Sequence, residues 1–295
     1  VSSLITQVKS KLFIHSSQKS MHALDGAYAS LLHGRSLDFE DLRKYEYGDQ
    51  VRDIDWRATA RMGTPLVKRH RANRMHTVLF VVDTGLSMTA LAHDERPKKD
   101  LAVLATGALG VLALRHGDDF SVVHGDAGGI RRRAPGRSEG ALEHALRTID
   151  GAIATAGAPS DRDALLAYVA RTIARRCIVV IITDEAPVTE HTERMLRRLR
   201  VQHDVLWITI RDADPVLAYA SHAQRADVST RWAIPDFVHG DAEVVLEATA
   251  QAQADAVRRD DLLDRLEISR AALETQDAAV GELLRMLNRR ANVRN

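Results

Sequence analysis

Two carboxylates and two hydroxyls stand out in this chain as residues with the type and placement to do chemistry. Asp83 ends the aliphatic run Val78 to Val82 in HTVLFVVDTGLSM, and Thr84, Gly85 and Ser87 follow it. Asp184 ends a second apolar run, IVVIIT, and Ser160 lies where a helical pattern resumes after a Gly/Ala/Pro loop. An acid at the end of a buried parallel strand stands at the carboxyl edge of its sheet, where open α/β sheets bind ligands at the point of strand-order reversal. Asp83, Ser87, Ser160 and Asp184 converging there would offer hard oxygen donors only. Such a set suits Mg²⁺, which takes oxygen ligands and keeps several waters, and it leaves a coordination position for a partner's carboxylate. The competing reading is that both acids merely accept hydrogen bonds from loop amides and helix N-termini.

Catalytic patterns are missing around these acids. Phosphotransfer through an aspartyl nucleophile usually wants a second acid two residues on, and that position is Gly85. The sequence has no Gly-rich nucleotide cradle after a strand, no GxSxG elbow, no HExxH and no paired Cys/His spacing. The chain is therefore read as a non-enzyme. The alternative is a Mg-dependent hydrolase of phosphate compounds that uses the same acids with the arginines near Arg131. Arg131 to Arg133 and the tail residues Arg289, Arg290 and Arg294 form short clusters without interleaved aromatics, and the net charge of +1 provides no whole-molecule field. Nucleic acid is not an expected partner.

The elements that must position these residues alternate along the chain. Apolar strands are expected at Val78 to Val82, Phe120 to His124, Ile178 to Ile182, Asp204 to Ile210 and Ile268 to Leu273, with an antiparallel edge strand in IRRRAP. Helices are expected over Pro97 to Arg115, closed by Gly117, and over Gly140 to Ile149 and Asp161 to Arg175, the latter capped by Ser160 or Asp161. Further helices cover Glu190 to Arg200, Ala242 to Leu266 and Gln276 to Arg290. This alternation predicts a doubly wound α/β domain with a mostly parallel sheet and helices on both faces. Ahead of it, Val1 to Leu32 reads as two helical pieces. Gly34 to Arg61 reads as a charged, loop-rich clasp pinned by Tyr45 and Trp56, with Arg43, Arg52 and Arg57 pairing with Asp49, Asp53 or Asp55, or alternatively as a docking surface for a partner; Lys68 to Arg74 follows as a solvated edge strand entering the sheet or, alternatively, as an acid-binding contact surface. With 45% apolar and 27% charged residues the chain is ordinary globular protein. The one cysteine, Cys177, fits a reducing compartment. No apolar run approaches the roughly 18 residues of a membrane span and no signal-peptide pattern opens the sequence, so a cytoplasmic protein without membrane insertion is expected.

The segment FEDLRKYEYGDQVRDIDWRATAR (Phe39 to Arg61), followed by PLVKRH, LFVVDTGLSM and IVVIITDEAP, resembles the signature of the bacterial family called "domain of unknown function 58". The resemblance implies a von Willebrand factor A-like domain, here over residues 76–290, behind an N-terminal extension over 1–75 that carries the signature. Domains of this kind bind Mg²⁺ at a metal-ion-dependent adhesion site built from a DxSxS motif, a threonine on a neighbouring loop and an acid at the end of a later strand. By that comparison Asp83 and Ser87 are the outer motif positions, Asp184 is the acid and Ser160 stands about where the threonine would be. Gly85 replaces the middle serine, so the site is degenerate, and a water is expected in the missing hydroxyl's place. The resemblance further implies an adaptor acting with a MoxR-type AAA+ ATPase on a protein client, in chaperone-like maturation or assembly. Many relatives carry N-terminal membrane helices that this sequence does not show.

Overall fold

The computed structural model describes residues 3–14, 25–28, 42–46, 54–68, 76–217 and 225–293. Its centre is a six-stranded sheet formed by β3 (Thr77–Asp83), β4 (Asp119–Asp126), β5 (Gly129–Arg132), β6 (Ile178–Thr183), β7 (Asp204–Ile210) and β8 (Ser269–Leu273), in the spatial order β8-β7-β6-β3-β4-β5. All neighbours are parallel except β4 and β5. The chain leaves β3 for β4 on one side and later returns to place β6 on the other. The strand order therefore reverses at β3, between β3 and β6, and their carboxyl ends share that crevice.

Continuous apolar runs form these strands because both sheet faces are covered. Along β3, Val78, Phe80 and Val82 enter one core while Leu79 and Val81 enter the other, and along β6 Val180 and Ile182 part from Val179 and Ile181 in the same way. Each such side chain, fully buried, stabilises the fold by about 1.5–3 kcal/mol. The first face carries α1 (Leu4–Ile14), α3 (Lys98–Arg115), α4 (Glu139–Ala154) and α8 (Gln276–Val293). The second carries α5 (Arg162–Thr172), α6 (Glu190–Gln202) and the end of α7 (Ala242–Arg265), where Leu262 and Leu263 are buried. This is the doubly wound class expected from the sequence. Helix α3 departs from its expected single apolar face: every residue from Leu101 to Ala113 is buried, since α1, α4 and α8 pack around it as well as the sheet. Gly117, at φ +75°, follows it in the left-handed conformation expected of the cap.

The N-terminal pieces fasten to this domain. Ile5, Val8 and Leu12 of α1 join its first core, the Tyr28 hydroxyl donates to Asp118 Oδ2 at 3.0 Å, and Arg115 pairs with Asp25 at 3.0 Å. Two expectations about the charged segment are corrected. Leu66–Lys68 (β2) does not enter the main sheet but pairs with Leu42–Lys44 (β1) in a separate antiparallel ribbon. Trp56 is no anchor: it is 64% exposed at the start of α2 (Trp56–Met62), a helix with no buried residue. Tyr45 is also exposed. Asp55 accepts from Ala58 N at 3.0 Å and caps α2, which ends at Gly63 in the left-handed conformation. Arg52, Asp49 and Asp53 lie outside the described residues, as do Arg69 to Arg74. Among the described residues no helix is long and apolar enough to cross a membrane.

Candidate functional site

The four residues singled out from the sequence lie on three loops that meet over the carboxyl ends of β3 and β6. Asp83 is 1% exposed. Its Oδ1 accepts from Gly85 N at 2.9 Å, turning the chain away from the strand, while its Oδ2 is buried with no hydrogen-bond partner. A 3₁₀ turn over Leu86–Thr89 then raises Ser87, whose hydroxyl lies 2.6 Å from that of Ser160. Ser160 comes in on the loop between α4 and α5. That loop is held by Leu86 N donating to Ala158 O at 3.0 Å and by Ala127 N, in the β4–β5 turn, donating to Pro159 O at 2.9 Å. The cap of α5 is Asp161, which accepts from Ala164 N at 2.8 Å, so Ser160 is left to face the site. Asp184 is buried beyond β6 and accepts from Ala186 N at 3.1 Å.

The electrostatics of this edge are poised. Burial pushes the Asp83 carboxyl up to about 6; the Gly85 amide opposes the rise, the negative Asp184 adds to it, and the Ser160 hydroxyl and the Arg162 guanidinium oppose it more weakly. A buried acid with one unpartnered oxygen and a second acid nearby can take up a further cation, since Arg162 offsets their charge only weakly. Among the described residues no group of three or more His, Cys, Asp or Glu is disposed to hold a metal. The donor set is instead two acids and two hydroxyls, the hard and incomplete set that suits Mg²⁺ with its retained waters. The bare Asp83 Oδ2 beside paired hydroxyls fits such an ion.

Two buried cations at this edge, Arg162 and Lys98, are not marked by the sequence pattern around the acids. Arg162 donates to Ala186 O and Pro187 O at 2.8 Å each, fixing the loop behind Asp184, and its guanidinium lies 5.6 Å from the centre of the Trp207 ring. Lys98, fully buried, donates to Ser87 O at 3.2 Å and pairs with Asp212. Asp212 N in turn donates to Glu185 Oε2 at 2.9 Å, tying the loop after β7 to the loop after β6. Both cations stand in the first turn of a helix, where the backbone dipole favours anions. That misplacement was the signal available in the sequence.

Residues 41–234 match the family described as "Protein of unknown function DUF58". Uncharacterized proteins of Mycobacterium tuberculosis and Mycobacterium bovis are each 32% identical over 201 residues, which make up 66% of this chain and 61% of theirs. The match thus spans less than two thirds of those relatives' length. Among solved structures, BatB from Bacteroides thetaiotaomicron is similar with a TM-score of 0.43 and 11% identity, over 74% of this chain and 99% of that one. A von Willebrand factor type A protein from Catenulispora acidiphila is similar with a TM-score of 0.41 and 14% identity, over 75% of this chain and 43% of its own.

Proposed function

The chain belongs to the DUF58 family, and from that premise we propose that it is a non-catalytic, cytoplasmic adaptor whose von Willebrand factor A-like domain docks a partner protein at the β3/β6 edge. The observation that carries this reading is the convergence of Asp83, whose Oδ2 is buried without a hydrogen-bond partner, with the Ser87/Ser160 hydroxyl pair and Asp184 at the strand-order reversal. Mg²⁺ is the ion proposed for the site, held by Asp83, Ser87, Ser160 and Asp184 directly or through water. When bound, it supplies a Lewis-acid position for a carboxylate of the partner. The chain's own part is to keep the two hydroxyls together, through the loop contacts at Ala158 and Pro159, and to hold the Asp184 loop with Arg162. A MoxR-type AAA+ ATPase is the proposed partner, with a protein client whose maturation or assembly the pair assists.

Capture of the MoxR-type ATPase by the immobilised chain tests this, with Mg²⁺ or with EDTA, for the native protein and for Asp83→Ala. Capture that needs both Mg²⁺ and Asp83 is the expected result. Equal capture by Asp83→Ala would remove the edge from the interaction.

A further inference from the structure

The gap that Gly85 leaves in the DxSxS pattern invites the view that a serine was lost and that restoring it would complete the metal site. The contacts around Gly85 say otherwise. A Cβ built on Gly85 would lie 2.5 Å from both Ser160 N and Ser160 Cα, and 2.7 Å from Ser160 Oγ. The first two are backbone atoms, which no rotation of a side chain can clear. Nor can the backbone at Ser160 retreat cheaply. It is held by Leu86 N on Ala158 O at 3.0 Å, by Ala127 N on Pro159 O at 2.9 Å, and on its far side by the Asp161 cap of α5. The two loops are in backbone contact, and the space a side chain at 85 would fill already holds Ser160.

We propose that Gly85 and Ser160 form a matched pair in which the missing side chain at 85 lets the neighbouring loop move in, so that Ser160 provides the hydroxyl beside Ser87. The inference rests on the proposed cation site for its chemistry and on the Gly85–Ser160 contact for its structure. The site is then a compact set of two acids and the Ser87/Ser160 hydroxyl pair, not a five-ligand set with a vacancy for water. Rewriting the motif to DxSxS breaks this site instead of repairing it.

The experiment is Mg²⁺ titration calorimetry on the full chain, with melting temperatures measured in EDTA, for the native protein, Gly85→Ala, Gly85→Ser and Ser160→Ala. Overpacking against fixed backbone is expected to lower the melting temperature of both Gly85 variants by roughly 5 °C, without metal. Gly85→Ser is expected to lose Mg²⁺ binding. Ser160→Ala is expected to keep the native melting temperature and yet bind Mg²⁺ at least about tenfold more weakly, through the loss of one of the four oxygen donors. Tighter binding by Gly85→Ser, or native binding by Ser160→Ala, would overturn the pairing. A native protein that binds no Mg²⁺ would defeat the proposed cation site. The pairing is then decided by the metal-free melting temperatures: a fall in both Gly85 variants upholds it, and unchanged values overturn it.

Discussion

Two buried aspartates sit at opposite ends of the same sheet and are treated differently by the fold. Asp118, at the amino end of β4, is 4% exposed and uses both oxygens: Oδ1 accepts from His76 N at 2.9 Å and Oδ2 accepts from the Tyr28 hydroxyl at 3.0 Å. Asp83, at the carboxyl end of β3, is as buried, yet its Oδ1 accepts from Gly85 N while its Oδ2 has no hydrogen-bond partner, the Ser160 hydroxyl nearby easing its charge only weakly. The first is a pin that joins the N-terminal segment to the entry of β3. The second carries unused bonding capacity where loops from β3 and β6 and the loop before α5 converge. Burying a carboxylate costs free energy unless its lone pairs are met. A fold that meets that cost in full at one edge and leaves it half met at the other marks the second edge as the place for a ligand.

The sharpest way to test this contrast is to remove the pin. Asp118→Ala leaves the Tyr28 hydroxyl and the His76 amide without acceptors, at about 2 kcal/mol each, so urea unfolding should show a loss of about 4 kcal/mol. Mg²⁺ binding should be unchanged, because the pin lies at the far end of the strands. Retained stability would mean that the two acids are alike.

Asp83→Asn should act in the opposite direction. With its pKa raised from 3.8 to about 6, the folded chain holds this proton more tightly than the unfolded chain does. The carboxyl is therefore harmless below about pH 4. Its penalty grows as pH rises through 4 to 6 and reaches about 3 kcal/mol above that window. In EDTA, Asp83→Asn is expected to be more stable than the native chain at pH 7.5 and equal to it at pH 4, measured by urea unfolding at both values. Mg²⁺ at pH 7.5 should stabilise the native chain and narrow the difference. A difference that does not vary with pH would show that Asp83 is satisfied as Asp118 is. The smallest effect is expected at Trp56, whose exposure limits the stability change in Trp56→Ala to under about 0.5 kcal/mol in the same measurement. A larger loss would restore its role as an anchor.

What could be read in advance follows from how local each signal is. Strands β3, β6 and β7 were legible because a run with apolar residues on both alternating faces has few places to go except the middle of a covered sheet. Asp83 and Asp184 were legible for the same reason, since each directly follows or ends such a run. The ribbon of β1 and β2 was not legible. Three-residue strands carry too little periodicity to declare a partner, and the basic run after Val67 resembled an edge strand of the larger sheet. Trp56 is not legible because an aromatic ring signals burial by type, whereas burial itself depends on having something to cover it. Arg162 and Lys98 are not legible because a cation in a helix's first turn is normally solvated, and distant partners, the carbonyls of Ala186, Pro187 and Ser87 together with Trp207 and Asp212, draw these two inward.

The sequence by itself determined the class of sheet, the two acid-bearing strand ends and the family, since these depend on residue type and short-range spacing. Tertiary structure alone decided which loop reaches Asp83 and how closely. Ser160 lies 73 positions from Ser87, and their hydroxyls meet because the β4–β5 turn and the start of α5 fix the intervening loop from both sides. The same contact gives Gly85 its meaning. In the sequence it is a missing serine; in the fold it is the space that Ser160 has taken.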